Sequence, residues 1–277
     1  MNSITTSLGT TASSTPPSDT VAPAKLRAWL ACAALLGLWF GATAWLRPLA
    51  IPDEGRYAGV AWEMLRSGDW LVPTLNGQPF FHKPPLFYWL TAASMDLFGA
   101  DVWAARLAPI VAATAAAVGL FAFVHRWAGW RLARRATIVL ATMPLFYGGA
   151  QYANLDMLVA ASIAATILLG AHAALSSEAQ RPHRTALALA FAAAALGVLA
   201  KGLIGVVLPI IVLLGWGLAT SRTRRIGRLL LWPHGWLVFF AIAAPWFIAM
   251  QQRFPGFAHY FFVVLKRFTV LLQCKQG

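Results

Sequence analysis

The chain has 277 residues, of which 59% are hydrophobic and only 11% are charged. A soluble domain normally carries about 25% charged residues, so this composition excludes an ordinary soluble domain and favours an all-α polytopic membrane protein. The net charge of +13 does not indicate nucleic acid, because most arginines lie in short clusters between apolar runs. That distribution is typical of cytoplasmic loops.

The N-terminal segment 1–24 is rich in Ser, Thr, Pro and Ala, which predicts a disordered cytoplasmic tail. The remainder, 25–277, is predicted to be one membrane domain. Its first span lies between Arg27 and Arg47, and Lys25 and Arg27 place the start of that span in the cytoplasm. The two cysteines of the chain, Cys32 and Cys274, do not form a disulfide or metal framework.

A short apolar run at 84–95 ends at Asp96. Runs of this length are typical of interfacial rather than spanning segments, and prolines suit the first turn of a helix. We therefore expect an interfacial helix over 87–98, within an external loop that covers 47–106. The next long run, 107–124, is followed by four arginines. Only an interfacial placement of the short run puts those arginines in the cytoplasm.

The same alternation continues to the C-terminal part and predicts seven spans. They are expected at 28–46, 107–124, 136–150, 157–175, 185–200, 202–219 and 229–250. The segments assigned to the inside hold 12 of the 22 Lys and Arg residues, whereas seven of the nine acidic residues lie outside.

Charge is concentrated in and just after the stretch 51–86, which predicts a water-exposed active-site loop between membrane helices. Six of the nine acidic residues fall there: Asp53, Glu54, Glu63, Asp69, Asp96 and Asp101. Asp53 precedes a helical pattern at 54–65 and is expected to cap it, with Gly68 ending the helix. Helical spacing brings Asp53, Arg56 and Tyr57 near one face. A capped, salt-bridged surface helix would account for the same pattern.

Two further charges stand at the predicted outer ends of later spans. Asp156 is either a functional acid that faces a cavity or an interface residue that reaches water. Lys201 is placed at a turn, where a cation suits an anionic lipid headgroup. Lys83 and Arg56 are the best candidates for binding phosphate, as a point charge and a planar fork respectively.

Two external histidines, His82 and His259, are the candidate metal ligands. His82, beside Lys83, is open to three interpretations, as a metal ligand, a proton carrier or a surface imidazole. Two histidines are too few to specify a metal site by themselves.

The stretch DEGRYAGVAWEMLRSGDWLVPTLNGQPFFHKPPLFYWL closely resembles the first periplasmic loop of the bacterial aminoarabinose transferases. These belong to the protein-mannosyltransferase-like glycosyltransferases of the GT-C fold. Further matches are RLAP, ANLDM and LAKGLIG, and the resemblance covers about 44–268 in order. It implies a GT-C helix bundle in the bacterial inner membrane whose active site is periplasmic.

The resemblance also implies the reaction and its residues. It implies transfer of 4-amino-4-deoxy-L-arabinose from undecaprenyl phosphate to lipid A. Asp53 matches the catalytic acid, and Asp156 a functional position of a later external turn. The positions matching donor-phosphate and other functional residues are Arg56, Tyr57, Lys83 and Lys201.

Two departures from the family pattern leave alternatives open. His82 stands where aminoarabinose transferases often have a Glu that takes part in a metal site, so a divalent metal (Zn²⁺, Mg²⁺ or Mn²⁺) and the identity of the sugar both stay open. The C-terminal segment also stops short of the family's further spans and soluble domain, which predicts a truncated member. The rival functions are a polyprenyl-phosphate-mannose-dependent protein O-mannosyltransferase, a lipid-linked sugar transporter and a non-catalytic fragment.

Overall fold

The structure, a computed structural model, describes residues 21–181 and 183–261. Most of the predicted N-terminal tail, Cys274 and the C-terminal segment on which the truncation was predicted lie outside these residues. The described part is helical apart from one short hairpin. In chain order the elements are α1 (Val21–Gly41), α2 (Asp53–Ser67), β1 (Thr74–Leu75), β2 (Gln78–Pro79), α3 (Leu86–Phe98), α4 (Val102–Ala105), α5 (Leu107–Ala128), α6 (Trp130–Thr142), α7 (Pro144–Ala150), α8 (Asp156–Glu178), α9 (Arg184–Lys201), α10 (Ile204–Ala219), α11 (Thr223–Leu230), α12 (Pro233–Arg253) and α13 (Phe257–His259).

Four of these helices, α5, α8, α9 and α12, are long and apolar enough to cross a bilayer, and 27–41 and α10 are shorter apolar helices. The α8–α9 hairpin lies at the centre, with α5 and α10 against α8 and α12 against α9. Small residues let the helices approach closely. A Cβ on Gly205 would lie 2.2 Å from the backbone carbon of Gly197, so α9 and α10 touch backbone to backbone there. The expected multi-pass helical membrane protein is confirmed.

The segment 136–150, expected as a single span, is instead divided between two helices. Helix α6 ends at Thr142, Met143 takes an extended conformation with ψ of 123°, and α7 begins at Pro144. A residue that precedes proline is pushed out of the helical region by the proline ring, which explains the break. The segment is therefore helical with a break at Met143, and both the span at 136–150 and the count of seven spans stay predictions.

The loop at 47–106, which is predicted to be external, contains α2, the hairpin, α3 and α4. The helix predicted at 87–98 is present as α3, which packs on α2, α5 and α9. Glu63 of α2 holds the hairpin, since its carboxylate accepts hydrogen bonds from Thr74 Oγ1 at 2.8 Å and from the backbone N–H of Asn76 at 2.5 Å. The loop is consequently a folded layer over one end of the bundle.

The C-terminal end of α2 was predicted correctly, but its N-terminal end was not. Gly68 takes the left-handed conformation with φ of 70°, and its N–H donates to the Met64 carbonyl, as expected of a helix stop. The helix already includes Asp53, however, and has no side-chain cap. The capping role expected of Asp53 was therefore wrong, which leaves its carboxylate available for other contacts.

Candidate active site

Glu54 lies fully buried at the centre of the external loop and accepts hydrogen bonds from two arginines. Arg106, also fully buried, donates from Nε to Oε1 and from Nη2 to Oε2, each at 2.9 Å. Arg47 pairs with the same carboxylate. The backbone N–H groups of Ala50 and Ala153 complete the set at 2.8 Å each. Every lone-pair direction of this carboxylate therefore faces a donor.

These donors determine the ionisation of Glu54. Burial by itself opposes the charged form, but the hydrogen bonds from Arg106, Arg47, Ala153 and Ala50 outweigh it and lower the pKa of the carboxyl group from 4.5 to about 2. Glu54 is therefore an anion at any physiological pH, which suits a structural anchor better than a proton carrier.

The same cluster joins distant parts of the chain. Arg106 Nη1 donates to the carbonyls of Ala44 at 2.5 Å and Arg47 at 2.9 Å, and Nη2 donates to that of Pro48 at 3.0 Å. Arg47 also donates to the Gln151 carbonyl at 2.9 Å. The end of the first apolar segment, α2, the start of α5 and the turn before α8 are thus held together around one carboxylate.

On the residue before Glu54, the carboxylate of Asp53 is half-exposed and pairs with Arg56 at 3.1 Å. The guanidinium carbon of Arg56 stands 6.0 Å from the centre of the Tyr57 ring. Burial, followed by the negative charge of Asp53, raises the pKa of the Tyr57 phenol. Tyr57 therefore stays a neutral hydrogen-bond donor, and the predicted grouping of these three side chains is confirmed.

Asp156 and Lys201 form an ion pair between the start of α8 and the end of α9. Asn154 holds the acid from one side, since its Nδ2 donates to Asp156 Oδ2 at 3.1 Å. Asp156 also contributes to the electrostatic environment of Tyr57. Asp156 and Lys201, which were predicted separately at outer turns, thus belong to one ion pair. That pair lies near the group formed by Asp53, Arg56 and Tyr57 on α2.

Lys83 lies near the Asp156–Lys201 pair, since both members act on its charge. Burial, followed by the positive charge of Lys201, lowers the pKa of Lys83, and Asp156 partly offsets the effect. Neighbouring His82 is exposed, and its pKa is lowered by desolvation and then by Lys83 and Arg56. An anion next to Lys83 would relieve this repulsion between cations.

The candidate metal ligands are not assembled into a site. His82 packs on the ring of Phe80 with a centroid distance of 4.7 Å, and His259 is an exposed residue at the end of α13. Among residues 21–181 and 183–261, no group of three or more His, Cys, Asp or Glu side chains is placed to hold a metal ion. Lys83 and Arg56 place positive charge near His82, which opposes the binding of a metal cation there.

A groove of about 860 Å³ opens beside Asp156. Arg47, Tyr152 and Asn154 form its polar end together with that acid, and residues of α7 form an apolar wall. The guanidinium of Arg47 lies 5.5 Å from the centre of the Tyr152 ring. The groove therefore offers charge at one end and hydrocarbon along its side, as an amphiphile with an anionic head requires.

Sequence analysis overlooked Glu54, Arg106 and Arg47 as members of one site. Two signals were present: Glu54 directly follows the candidate acid, and Arg106 opens the RLAP match. Charged residues that sit within an otherwise apolar chain are almost always paired. A search for partners of these charges would have suggested the cluster, although not its geometry.

The helix bundle, with its polar loop layered over one end, is of the GT-C type. The chain belongs to the dolichyl-phosphate-mannose-protein mannosyltransferase family, whose model matches residues 82–248. This is a family of glycosyltransferases that use lipid-phosphate sugars.

Among curated relatives, the chain resembles the undecaprenyl phosphate-alpha-4-amino-4-deoxy-L-arabinose arabinosyl transferases. It is 33% identical over 227 residues to that of Aeromonas hydrophila, a match that covers 80% of this chain and 41% of the relative. It is 35% identical over 239 residues to that of Aeromonas salmonicida, with 80% and 41% covered. The chain thus spans about two fifths of the length of these relatives.

The solved structures point to the same group. The crystal structure of ArnT from Cupriavidus metallidurans in the apo state matches with a TM-score of 0.75 and 31% identity, covering 88% of this chain and 45% of that one. The same protein bound to undecaprenyl phosphate matches with a TM-score of 0.76 and 31% identity, covering 87% and 44%. The resemblance to aminoarabinose transferases is confirmed.

Proposed function

We propose that this protein transfers 4-amino-4-deoxy-L-arabinose from undecaprenyl phosphate to lipid A at the periplasmic face of the bacterial inner membrane. The observation that carries the proposal is the clustering of two ion pairs, Asp53–Arg56 and Asp156–Lys201, at one end of the bundle. Tyr57 is influenced by three of their members, and Lys83 lies near the second pair. The relatives named for this reaction, and the ArnT structure with undecaprenyl phosphate, support it.

The cations account for the departure of the carrier. In the reaction the bond between the sugar C1 and the carrier's phosphate oxygen breaks, and the phosphate leaves with the electron pair. Lys83 is half-buried and faces the charge of Lys201, so an anionic phosphate there would be stabilised by both. Arg56 adds a planar fork of donors. Positioned positive charge of this kind stabilises a developing anion.

Asp53 and Asp156 account for orientation. If the acceptor is a phosphate of lipid A, it is already ionised and attacks C1 without a base. Asp53 then positions the acceptor or the amine of the sugar, rather than removing a proton. For a hydroxyl acceptor the same carboxylate would serve as the general base. Tyr57, kept neutral by its raised pKa, donates a hydrogen bond to the acceptor, whether the acceptor is a phosphate or a hydroxyl.

The groove beside Asp156 supports a lipid substrate. Its apolar wall along α7 suits hydrocarbon, and its polar end includes Asp156 of the Asp156–Lys201 ion pair. A polyprenyl or acyl chain lying there would hold its phosphate near the external charges. This arrangement favours transfer at the membrane surface over transport through the bundle, because transporter sites usually lie near the bilayer midplane.

The test is transfer of radiolabelled sugar from undecaprenyl phosphate by the purified protein. We expect label in lipid A and none in a Ser/Thr-rich acceptor peptide. The family model names protein mannosyltransferases, so the peptide is also offered with a mannosyl carrier. Mannosylated peptide with unlabelled lipid A would contradict the proposal in favour of that activity. Passage of the carrier across proteoliposomes without any transfer would favour a transporter.

A further inference from the structure

A second polar cavity lies at the opposite end of the bundle from the candidate active site. Helix α8 has 23 residues from Asp156 to Glu178, so at about 1.5 Å per residue its ends are about 33 Å apart. Asp156 belongs to the active-site end. At the other end, next to Glu178, a cavity of about 390 Å³ opens between the start of α9, α11 and the start of α12.

Three arginines line this cavity: Arg184, Arg225 and Arg228. Arg225 shares Glu178 with Arg222, at 3.1 Å and 2.8 Å respectively. Arg184 and Arg228 have no acidic partner within 4.0 Å in the part of the chain that the structure describes. Glu178 thus pairs with two arginines, while the charges of Arg184 and Arg228 are not compensated by any acid among the described residues, so positive charge is in excess at the cavity.

The cavity also has an apolar side. Leu187, Leu229 and half-buried Trp232 line it together with the arginines. Tryptophan is enriched where membrane meets water. Orientation of the helices requires arginines on the cytoplasmic side, but it does not require them to line a cavity. The three arginines here line a cavity that also has apolar residues, and this combination suits a lipid headgroup and the first part of its acyl chains.

We propose that this cavity binds the phosphate of an anionic phospholipid in the leaflet opposite to the active site. Arg184 and Arg228, which pair with no acid in the described part of the chain, contact the phosphate with their guanidinium groups, which bind phosphate oxygens in a bidentate manner. Arg225 adds charge, and Trp232 and Leu229 contact the glycerol and the upper acyl chain. Basic pockets between membrane helices bind anionic headgroups by this chemistry. The proposal does not depend on the sugar transfer proposed above.

The experiment is a titration of the purified full chain in a non-ionic detergent, followed by native mass spectrometry. The probes are dioctanoyl phosphatidylglycerol, dioctanoyl phosphatidylcholine and glycerol 1-phosphate. We expect the anionic lipid to bind at least about tenfold more tightly than the zwitterionic one. In R184Q/R228Q its affinity should fall by about tenfold or more, because two charged hydrogen-bond donors are lost.

The control is R134Q/R135Q, which removes the same charge from another arginine cluster; these two residues are exposed and have no acidic partner among the described residues. Its affinity should stay within about twofold of the wild type. A further variant, R184K/R228K, keeps the charge that orients the helices but lacks the planar fork. It should lie between the wild type and the Gln pair, which separates lipid binding from misinsertion.

Three results would overturn the proposal. Equal affinity of the wild type and R184Q/R228Q would remove these arginines from the site. An equal loss in R134Q/R135Q would reduce the effect to net charge. Displacement of the lipid by an equal concentration of glycerol 1-phosphate would assign the cavity to a soluble phosphate compound instead of a membrane lipid.

Discussion

Arg106 donates two hydrogen bonds of 2.9 Å to the carboxylate of Glu54, a residue 52 positions earlier, and both side chains are fully buried. A buried ion pair is costly to desolvate, and it persists only where further hydrogen bonds satisfy both groups. Arg47, Ala50 and Ala153 satisfy the acid, and three carbonyls satisfy Arg106. Since Asp53 directly precedes Glu54, the buried pair determines where the candidate catalytic acid lies.

Removing one member of the pair should destabilise the protein strongly. For Arg106→Met we expect a loss of about 3–5 kcal/mol, because Glu54 loses its main partner while it remains buried. The double variant E54Q/R106M should lose less than the sum of the single variants, since neither uncompensated charge remains. Thermal unfolding in detergent measures this, with exposed Asp101→Asn as the control, expected within about 0.5 kcal/mol. Additive losses would contradict the coupling.

The depressed pKa of Glu54 predicts a dependence of stability on acid. The pKa is about 2 in the folded protein against 4.5 ordinarily. The unfolded chain therefore binds more protons between these values, and the stabilisation is complete above about pH 4.5 and is lost as the pH falls toward 2. The gap in unfolding temperature between wild type and Glu54→Gln should narrow over that range. A constant gap would mean that Glu54 titrates alike in both states.

Asp53→Asn should abolish transfer without unfolding the protein. Asp53 is half-exposed and makes one surface pair, which contributes at most about 1 kcal/mol. Loss of a positioned carboxylate should lower the transfer rate by at least about a hundredfold. The measurements are the radiolabelled transfer assay and the unfolding temperature. Asp96→Asn, an exposed acid at the far end of α3, should retain activity, and full activity in both variants would remove Asp53 from the site.

Lys83→Gln should weaken binding of undecaprenyl phosphate. A charged hydrogen bond contributes roughly 1.5–3 kcal/mol, so affinity should fall by about ten- to a hundredfold. Lys83→Arg should restore only part of it, because a planar fork and a point charge place phosphate differently. Binding is measured with the detergent-solubilised protein. The control is Arg66→Gln, which removes an exposed cation from the last turn of α2. Equal affinity in all variants would leave Arg56 and Lys201 as the phosphate ligands.

The topology predicts that the hairpin lies outside and the start of α6 inside. Single cysteines at Gln78 and Arg131, in a background without Cys32 and Cys274, test this with a membrane-impermeant thiol reagent. Both positions are exposed, and among the described residues Gln78 makes no side-chain hydrogen bond that holds the hairpin, unlike Glu63. In intact spheroplasts we expect labelling at position 78 and not at 131. The reverse pattern would invert the assignment of both ends of the bundle.

Local patterns along the chain were sufficient for the helical membrane class, the interfacial helix α3 and the stop at Gly68. These features depend on the length of apolar runs and on the backbone preferences of proline and glycine, both of which are visible in a short window. The same kind of signal explains the break before Pro144, because the apolar run at 136–150 continues through the proline. The grouping of Asp53, Arg56 and Tyr57 could also be predicted, because it depends on helical spacing alone.

Only the tertiary structure decided which charges meet. Glu54 with Arg106, Asp156 with Lys201 and the arginines around the cavity beside Glu178 join residues on different helices. No local pattern encodes these pairings, because they follow from how the helices cross and from the small residues that let α9 and α10 touch. In a chain with so few charges, the sequence by itself determined that each buried charge needs a partner, and packing determined which one.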